Sequence, residues 1–276
     1  MQLQKDIPLP HCRQSLSVVY TEEYYDGKDT AITVYDRYKI SILLSDGLHA
    51  IAGDQLICCS KGGALFFRPD ELHFGHFSSA GIHAYLDFFI PTDFFCGFQL
   101  PPQALAFLEE RSSDRIHYVP ASKATETIAK DAVALLRKEA ATSSLPLLAL
   151  ALQVISYCSS AYETQKSAPK DSHLPAVVTK TIAYLSEHFD RKLSLSELAA
   201  NAGCSVTYLS RTFKRYTGKT VYHYVTATRI MNAQRMLKAG TSVTEACFAS
   251  GFEDCSGFIR TFKRITGETP LKYKTK

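Results

Sequence analysis

The chain has 276 residues, 46% hydrophobic and 21% charged, which excludes an extended disordered protein and leaves room for two domains with separate cores. Its net charge of +4 hides an asymmetry: residues 174–276 hold 16 Lys and Arg against 7 Asp and Glu, a balance of +9, and the preceding residues have a balance of −5. A basic C-terminal part behind an acidic N-terminal part points to a polyanionic partner for the former. The cysteines at positions 12, 58, 59, 96, 158, 204, 247 and 255 show no CxxC spacing, and read as reduced, mostly buried thiols. Met1-Gln-Leu-Gln-Lys-Asp6 lacks the apolar core of a signal peptide, and no uninterrupted apolar run reaches about 18 residues. The expectation is a soluble, cytoplasmic protein with no membrane partner.

The first hundred or so residues read as short strands separated by turns. Residues 15–20, 30–35 and 39–44 are β-branched or aromatic and partly alternating, and 48–52, 55–60, 64–68 and 82–90 continue the series. Ser45-Asp-Gly47 and Gly53-Asp54 punctuate them. Strands at this spacing predict a sandwich or a small barrel. Ten of the 16 phenylalanines precede residue 108, so the interior is aromatic. Gly63-Ala-Leu-Phe-Phe-Arg-Pro69-Asp-Glu-Leu-His73 resembles the second half-motif of cupin barrels. Metal-binding cupins also carry a His-x-His in an earlier strand, and here Asp36-Arg-Tyr-Lys39 stands in that region. His73, His76 and His83 are the alternative, a divalent site, but they lack a carboxylate partner, so no metal or other cofactor is expected. Asp36, Arg68, His73 and Tyr85 are the polar residues placed to line a small-molecule pocket.

After Pro101-Pro102 the period becomes helical. Residues 122–140 place Ile128, Ala132, Leu135 and Leu136 on one face, and Ser144-Leu-Pro146 starts a second helix running to about Tyr162. The second helix is apolar on more than one face, and it predicts a homodimer interface as well as packing on the strands. Residues 163–172 are polar, contain Pro169 and read as a linker.

The remaining hundred residues repeat themselves. Tyr208-Leu-Ser-Arg-Thr-Phe-Lys-Arg-Tyr-Thr-Gly218 returns 49 positions later as Gly257-Phe-Ile-Arg-Thr-Phe-Lys-Arg-Ile-Thr-Gly267. Ser194-Leu-Ser-Glu197 and Ser242-Val-Thr-Glu245 are capping boxes, followed at one offset by Ala199-x-x-x-Gly203 and Cys247-x-x-x-Gly251. Ser205 and Asp254 cap the next helix, and Gly218 and Gly267 close it. Each copy is a helix-turn-helix, and 220–238 has no breaker and reads as one connecting helix. Val206, Leu209 and Phe213 form the inner face of the first copy, and Phe258, Phe262 and Ile265 that of the second. The outer faces carry Thr207, Ser210 and Arg211, and Ser256, Ile259 and Arg260, in positions to read base edges. Lys214, Arg215, Lys263 and Arg264 are placed for phosphate.

With Ser-x-x-Glu-Leu-Ala199, Tyr208-Leu-Ser-Arg-x-Phe213-Lys, Arg229, Gly251-Phe252 and Phe262-Lys-Arg-x-x-Gly267-x-x-Pro270, residues 176–276 resemble the DNA-binding domain of the AraC/XylS family of bacterial transcription regulators. The resemblance implies an α+β multidomain chain: a cupin-like barrel over about 1–100 with a helical pair over about 103–162, together an effector-binding and dimerisation domain of residues 1–165. A linker at 166–173 and an all-α domain at 174–276, two helix-turn-helix units joined by a long helix, complete it. It implies base contacts at Thr207, Ser210, Arg211 and Arg260. The expected function is a non-enzymatic, sequence-specific regulator with double-stranded DNA as partner, a homodimer, a small-molecule effector, and RNA polymerase if it activates. The alternative is a cupin-type enzyme with an accessory DNA-binding module. There are two departures from the family: Ala246-Cys247 replaces a larger aliphatic and alanine, and Gly257 an aromatic. Glycine inside a helix weakens it by up to about 1 kcal/mol, so the first unit is expected to supply most of the specificity.

Overall fold

The structure is a computed structural model that describes residues 1–26, 32–33, 35–52, 55–69, 73–98, 100, 102–110, 117–138, 144–164 and 174–275. The chain divides into two compact units, Met1–Lys28 with Tyr35–Pro69 and Phe77–Ser172, and His173–Lys276 with Asp29–Val34 and Asp70–His76. The expected linker at 166–173, the Gly53-Asp54 turn and the centre of the Pro69–His73 motif lie outside the described residues.

The strands are β1 (Gln2–Ile7), β2 (Leu16–Tyr25), β3 (Ile32–Thr33), β4 (Tyr38–Leu43), β5 (Leu48–Ala52), β6 (Gln55–Cys59), β7 (Ala64–Phe67), β8 (His73–Phe77), β9 (Gly81–Ile90) and β10 (Tyr118–Val119). They make a six-stranded sheet of order β1-β2-β9-β4-β7-β10 and a four-stranded sheet of order β3-β8-β5-β6. Strand β1 was not expected, since Gln2-Leu-Gln-Lys-Asp-Ile7 is mostly polar; it is an edge strand, exposed at alternate positions. Among the described residues the strands form two open sheets, and the closed barrel expected from the sequence is not formed. The larger sheet ends on β1 and β10, each with one neighbour. Of the two architectures the strand spacing allowed, this is the sandwich-like one.

Strand β4 is buried at every position because it lies between β9 and β7 and is covered on both faces. Ile40 and Ile42 join Phe66, Leu86 and Phe88 in one core, with Phe107 of α1 (Ala106–Glu109), Ile128 and Ala132 of α2 (Lys123–Arg137) and Val154 of α3 (Leu145–Thr164). Leu43 points the other way, joining Leu65 and Phe67 against Ala50, Ile57 and Cys59 of the second sheet. Helix α2 opens on a capping box in which Ser122 and Thr125 satisfy each other's backbone amides. Helix α3 is long and apolar enough to cross a membrane, yet Leu147, Leu150, Ala151, Val154, Ile155, Cys158 and Tyr162 are buried in this core, which accounts for its composition.

On the inter-sheet side of β4 sits a charge. Lys39 is 8% exposed, and its Nζ lies 3.1 Å from Asp87 Oδ2 on β9. Register explains the pairing: Ser41 is directly opposite Asp87, and Lys39 is its diagonal neighbour. Ser41 Oγ donates to Asp87 Oδ1 at 2.5 Å, and the ammonium lies over the rings of Tyr35, Tyr85 and Phe89 at 5.0, 5.9 and 5.7 Å. Burial pushes the ammonium's pKa down, but Asp87 and then Tyr35 outweigh it and hold Lys39 above its ordinary value.

The C-terminal unit is helical: α4 (Ala176–His188), α5 (Leu195–Ala202), α6 (Val206–Thr217), α7 (Val221–Lys238), α8 (Val243–Ala249), α9 (Cys255–Thr266) and α10 (Pro270–Lys274). The duplication seen in the sequence is repeated atom by atom. Ser205 accepts from Tyr208 N–H and Asp254 from Gly257 N–H. Thr217 and Thr266 each donate to a carbonyl four residues back and accept from the amide two residues on, which explains why Thr-Gly recurs. Phe213 meets Tyr224 edge-on at 5.6 Å, and 49 positions later Phe262 meets Tyr273 at 5.5 Å. Helix α10 is therefore a shortened copy of the start of α7, and α7 completes the first unit with one end and opens the second with the other. The capping boxes differ. Ser242 and Glu245 cap reciprocally, but Glu197 is drawn from Ser194 to Arg191 (2.5 Å) and Tyr184 (2.7 Å), which together hold its carboxyl below the usual range.

The turns between paired helices share one conformation, Gly203 at φ 69° and Gly251 at φ 87°, in different surroundings. A Cβ on Gly203 would meet nothing within 4 Å, but one on Gly251 would meet the Phe189 carbonyl oxygen at 2.7 Å.

Two substitutions test these packing statements. Asp87→Ala leaves the Lys39 ammonium buried without its counter-ion and should cost about 3–5 kcal/mol of unfolding free energy by denaturant titration; a cost below about 1 kcal/mol would mean that Lys39 escapes to water. Gly203→Ala should cost about 1–2 kcal/mol, the left-handed penalty alone. Gly251→Ala should cost at least about 1 kcal/mol more, because the loop at Phe189 must also move, and equal costs would show that the second turn is not clamped.

Candidate nucleic-acid interface

The two helices following the glycine turns, α6 and α9, divide cleanly into faces. Leu209, Phe213, Phe258 and Phe262 are fully buried. Thr207, Arg211, Lys214 and Arg215 of α6 are exposed, with Ser210 half-buried, and Ser256, Ile259, Arg260, Lys263 and Arg264 of α9 are exposed. Val206 corrects the expected inner face: it is 37% exposed, because the first residue of a helix precedes the turn that contacts the core. Ile265 is half-buried at the edge of the second core. Among the described residues no ion pair occupies Arg211, Lys214, Arg260, Lys263 or Arg264, so these cations are available to an outside anion. Tyr208, 56% exposed one residue after Thr207, shares this surface. Sequence reasoning passed over it, although an aromatic in a polar helix face was the available signal.

A clasp on α7 fixes one unit against the other. Arg229 Nε donates to the Phe189 carbonyl at 2.8 Å and its Nη2 to the Arg191 carbonyl at 2.9 Å, in the loop between α4 and α5 of the first unit. Its guanidinium also lies 6.0 Å from the ring centre of Phe252 in the second unit's turn. Gly251 lets that turn press on the same Phe189 carbonyl. Burial draws the Arg229 guanidinium below its ordinary pKa, a shift that does not threaten its charge at neutral pH. The Asp254 cap explains Gly257: a Cβ there would meet the Asp254 carboxylate at 2.7 Å. Glycine at this position thus accommodates an acidic cap in place of the serine of the first unit.

The four pocket residues proposed from the sequence take different places. Tyr85 on β9 is half-buried beside Lys39, and its hydroxyl donates to Glu23 at 3.1 Å. Asp36 lies just before β4 and accepts from Gln14 at 2.8 Å. Arg68 is half-buried after β7, and His73 is buried on β8. Sequence reasoning missed Lys39 and Asp87, the charges at the centre of the inter-sheet face. The signal was a lone charge at an alternating position within an otherwise apolar strand. The thiols also differ from expectation: all eight are free, but only Cys59, Cys158 and Cys247 are buried, and Cys58 and Cys96 are exposed.

Residues 198–276 match a protein family described as a helix-turn-helix domain. An uncharacterised HTH-type transcriptional regulator of Staphylococcus aureus (strain COL) is 31% identical over 129 residues, 46% of this chain and 17% of that protein. The HTH-type transcriptional activator Btr of Bacillus subtilis (strain 168) is 32% identical over 120 residues, 43% of this chain and 22% of its own length. The aligned part thus spans about a fifth of these relatives. Among solved structures, the C-terminal domain of AraT, a response regulator from Geobacillus stearothermophilus, is 27% identical, covering 38% of this chain and 88% of that one at a TM-score of 0.36. The similarity is thus confined to the C-terminal part of the chain, which carries a helix-turn-helix domain like that of HTH-type transcriptional regulators.

Proposed function

We propose that the protein is a cytoplasmic, sequence-specific regulator of transcription that reads two adjacent major-groove segments of double-stranded DNA with α6 and α9. The observation that carries this reading is the pair of matched, capped helices with exposed unpaired cations, held in one arrangement by Arg229. Thr207, Ser210 and Arg211, and Ser256, Ile259 and Arg260, meet base edges. Lys214, Arg215, Lys263 and Arg264 meet phosphates. The connector α7 has 18 residues, a length of about 27 Å, close to the roughly 34 Å between successive major grooves on one face of the duplex.

In the same reading residues 1–165 are a cupin-like sensing and dimerisation domain joined by residues 166–173 to the reader at 174–276. Asp36, Arg68, His73 and Tyr85 are its effector contacts, and Lys39 and Asp87 join Tyr85 there. The helices of residues 122–162 pair two copies; α3 leaves Leu145 and Leu152 exposed for that contact. Since the relative Btr is named an activator, RNA polymerase is the partner that an activating role would require.

The test is selection of sites from randomised duplex DNA by the full-length protein. A motif with two sub-sites about one helical turn apart is expected, and no enrichment at low salt would overturn the reading. On the selected site Arg211→Ala should weaken binding by about 1–3 kcal/mol and leave random DNA nearly unaffected. Lys263→Ala should weaken both alike and lower the slope of log K against log salt by about one. Equal losses for Arg211→Ala on both DNAs would remove it from the base-reading face.

A further inference from the structure

The second helix-turn-helix unit contains two thiols that DNA reading does not use. Cys247 on α8 is fully buried, and Cys255, the first residue of α9, is half-buried. Cys247 packs with Ala246, Phe258 and Phe262 in one apolar cluster, and Cys255 lies against the same cluster. The two side chains are within hydrogen-bonding reach of one another, and burial, then that contact, pushes the Cys247 thiol up to about 12. The corresponding positions of the first unit hold Ala199 and Val206, so the thiol pair belongs to one reading head only.

We infer that Cys247 and Cys255 are an oxidation site that closes to a disulfide when a hydroperoxide reaches Cys255, and that closure displaces the start of α9. The second part rests on the DNA-binding reading above. The Cys255 thiolate attacks a peroxide oxygen; the O–O bond breaks, Cys255 becomes a sulfenic acid, and the released alkoxide or hydroxide takes up the thiol's proton. Cys247 sulfur then bonds to Cys255 sulfur and displaces hydroxide, which leaves as water with the Cys247 proton. Two thiols lose two electrons, and the hydroperoxide gains them.

The bond is about 2.05 Å long, shorter than any non-bonded sulfur contact, so one helix must move. Helix α8 is held: Phe252 N–H donates to the Cys247 carbonyl at 3.2 Å, and Gly251 is packed on the Phe189 carbonyl. The first turn of α9 moves instead, and with it the Asp254 cap and Ser256.

The full-length protein is treated with hydrogen peroxide under native conditions, alkylated and digested after glutamate. Glu253 separates the two cysteines, and cleavage at Glu245, Glu253 and Glu268 leaves residues 246–253 and 254–268 together only through the disulfide. That peptide pair is expected, released by dithiothreitol, and Cys247→Ala should instead give a Cys255 sulfenic acid that dimedone traps. Peroxide should lower the wild-type affinity for the selected duplex by about 5- to 150-fold, the size of a lost base contact, reversibly, and should leave Cys255→Ser unchanged. Both cysteines fully alkylated after peroxide would overturn the site. A disulfide that forms with unchanged DNA affinity would overturn the displacement of α9. Should selection return no duplex, the peptide pair still decides the chemistry, so the two readings fail separately.

Discussion

The arrangement of the C-terminal unit depends on Arg229. A helix-turn-helix pair is too small to hold a second one at a fixed angle through a flexible tether, since any slack would spread the second head over many positions. Here one guanidinium in the connector satisfies two backbone carbonyls of the first unit and lies against an aromatic ring of the second. Those carbonyls belong to a loop, where they have no helical partner, and arginine's planar fork reaches both at once. Gly251 brings the second turn to the same loop. The two helix-turn-helix units are thereby held in one fixed arrangement.

The N-terminal unit solves a different problem. Its central strand β4 is covered on both faces, and an apolar strand would satisfy both more cheaply than one carrying Lys39 and Asp87's partner serine. A buried, hydrogen-bonded ion pair surrounded by three aromatic rings adds little net stability but fixes register, because slipping β4 by one residue would send Lys39 into the face occupied by Ile40 and Phe66.

Much of this was legible in the sequence, for identifiable reasons. Helices α5 to α9 were legible nearly to the residue, though α4 and α10 were not, because caps and glycine turns are local: Ser205 and Gly218 specify the ends of α6 whatever surrounds them. Strands β4 and β9 were legible as runs of apolar residues, but the sheets they joined were not, since closure into a barrel or opening into two sheets depends on long-range pairing that no short motif encodes. Arg229 appeared as part of a family pattern, but its hydrogen bonds to Phe189 and Arg191 span 40 and 38 positions and could not be read off the chain. Glu197 shows the same limit on a smaller scale: its spacing from Ser194 fits a capping box, and tertiary contacts with Arg191 and Tyr184 took its carboxylate elsewhere.

The two reading heads are copies, yet they are not equivalent, and the differences concentrate at the start of α9. Serine caps α6 and aspartate caps α9; the acid lies close to the glycine three residues on, where the first unit has an exposed tyrosine. A carboxylate at that end compensates for the helix dipole more strongly than a hydroxyl, which offsets part of the glycine's cost. It also sets a negative charge two residues before Ser256. The first head combines an uncharged cap with an exposed aromatic beside its arginine, and the second combines an acidic cap with a bare glycine and a thiol pair beneath. The two copies thus differ most at one place, the first turn of their second helix, where the second carries an aspartate cap, a cysteine and a glycine in place of Ser205, Val206 and Tyr208.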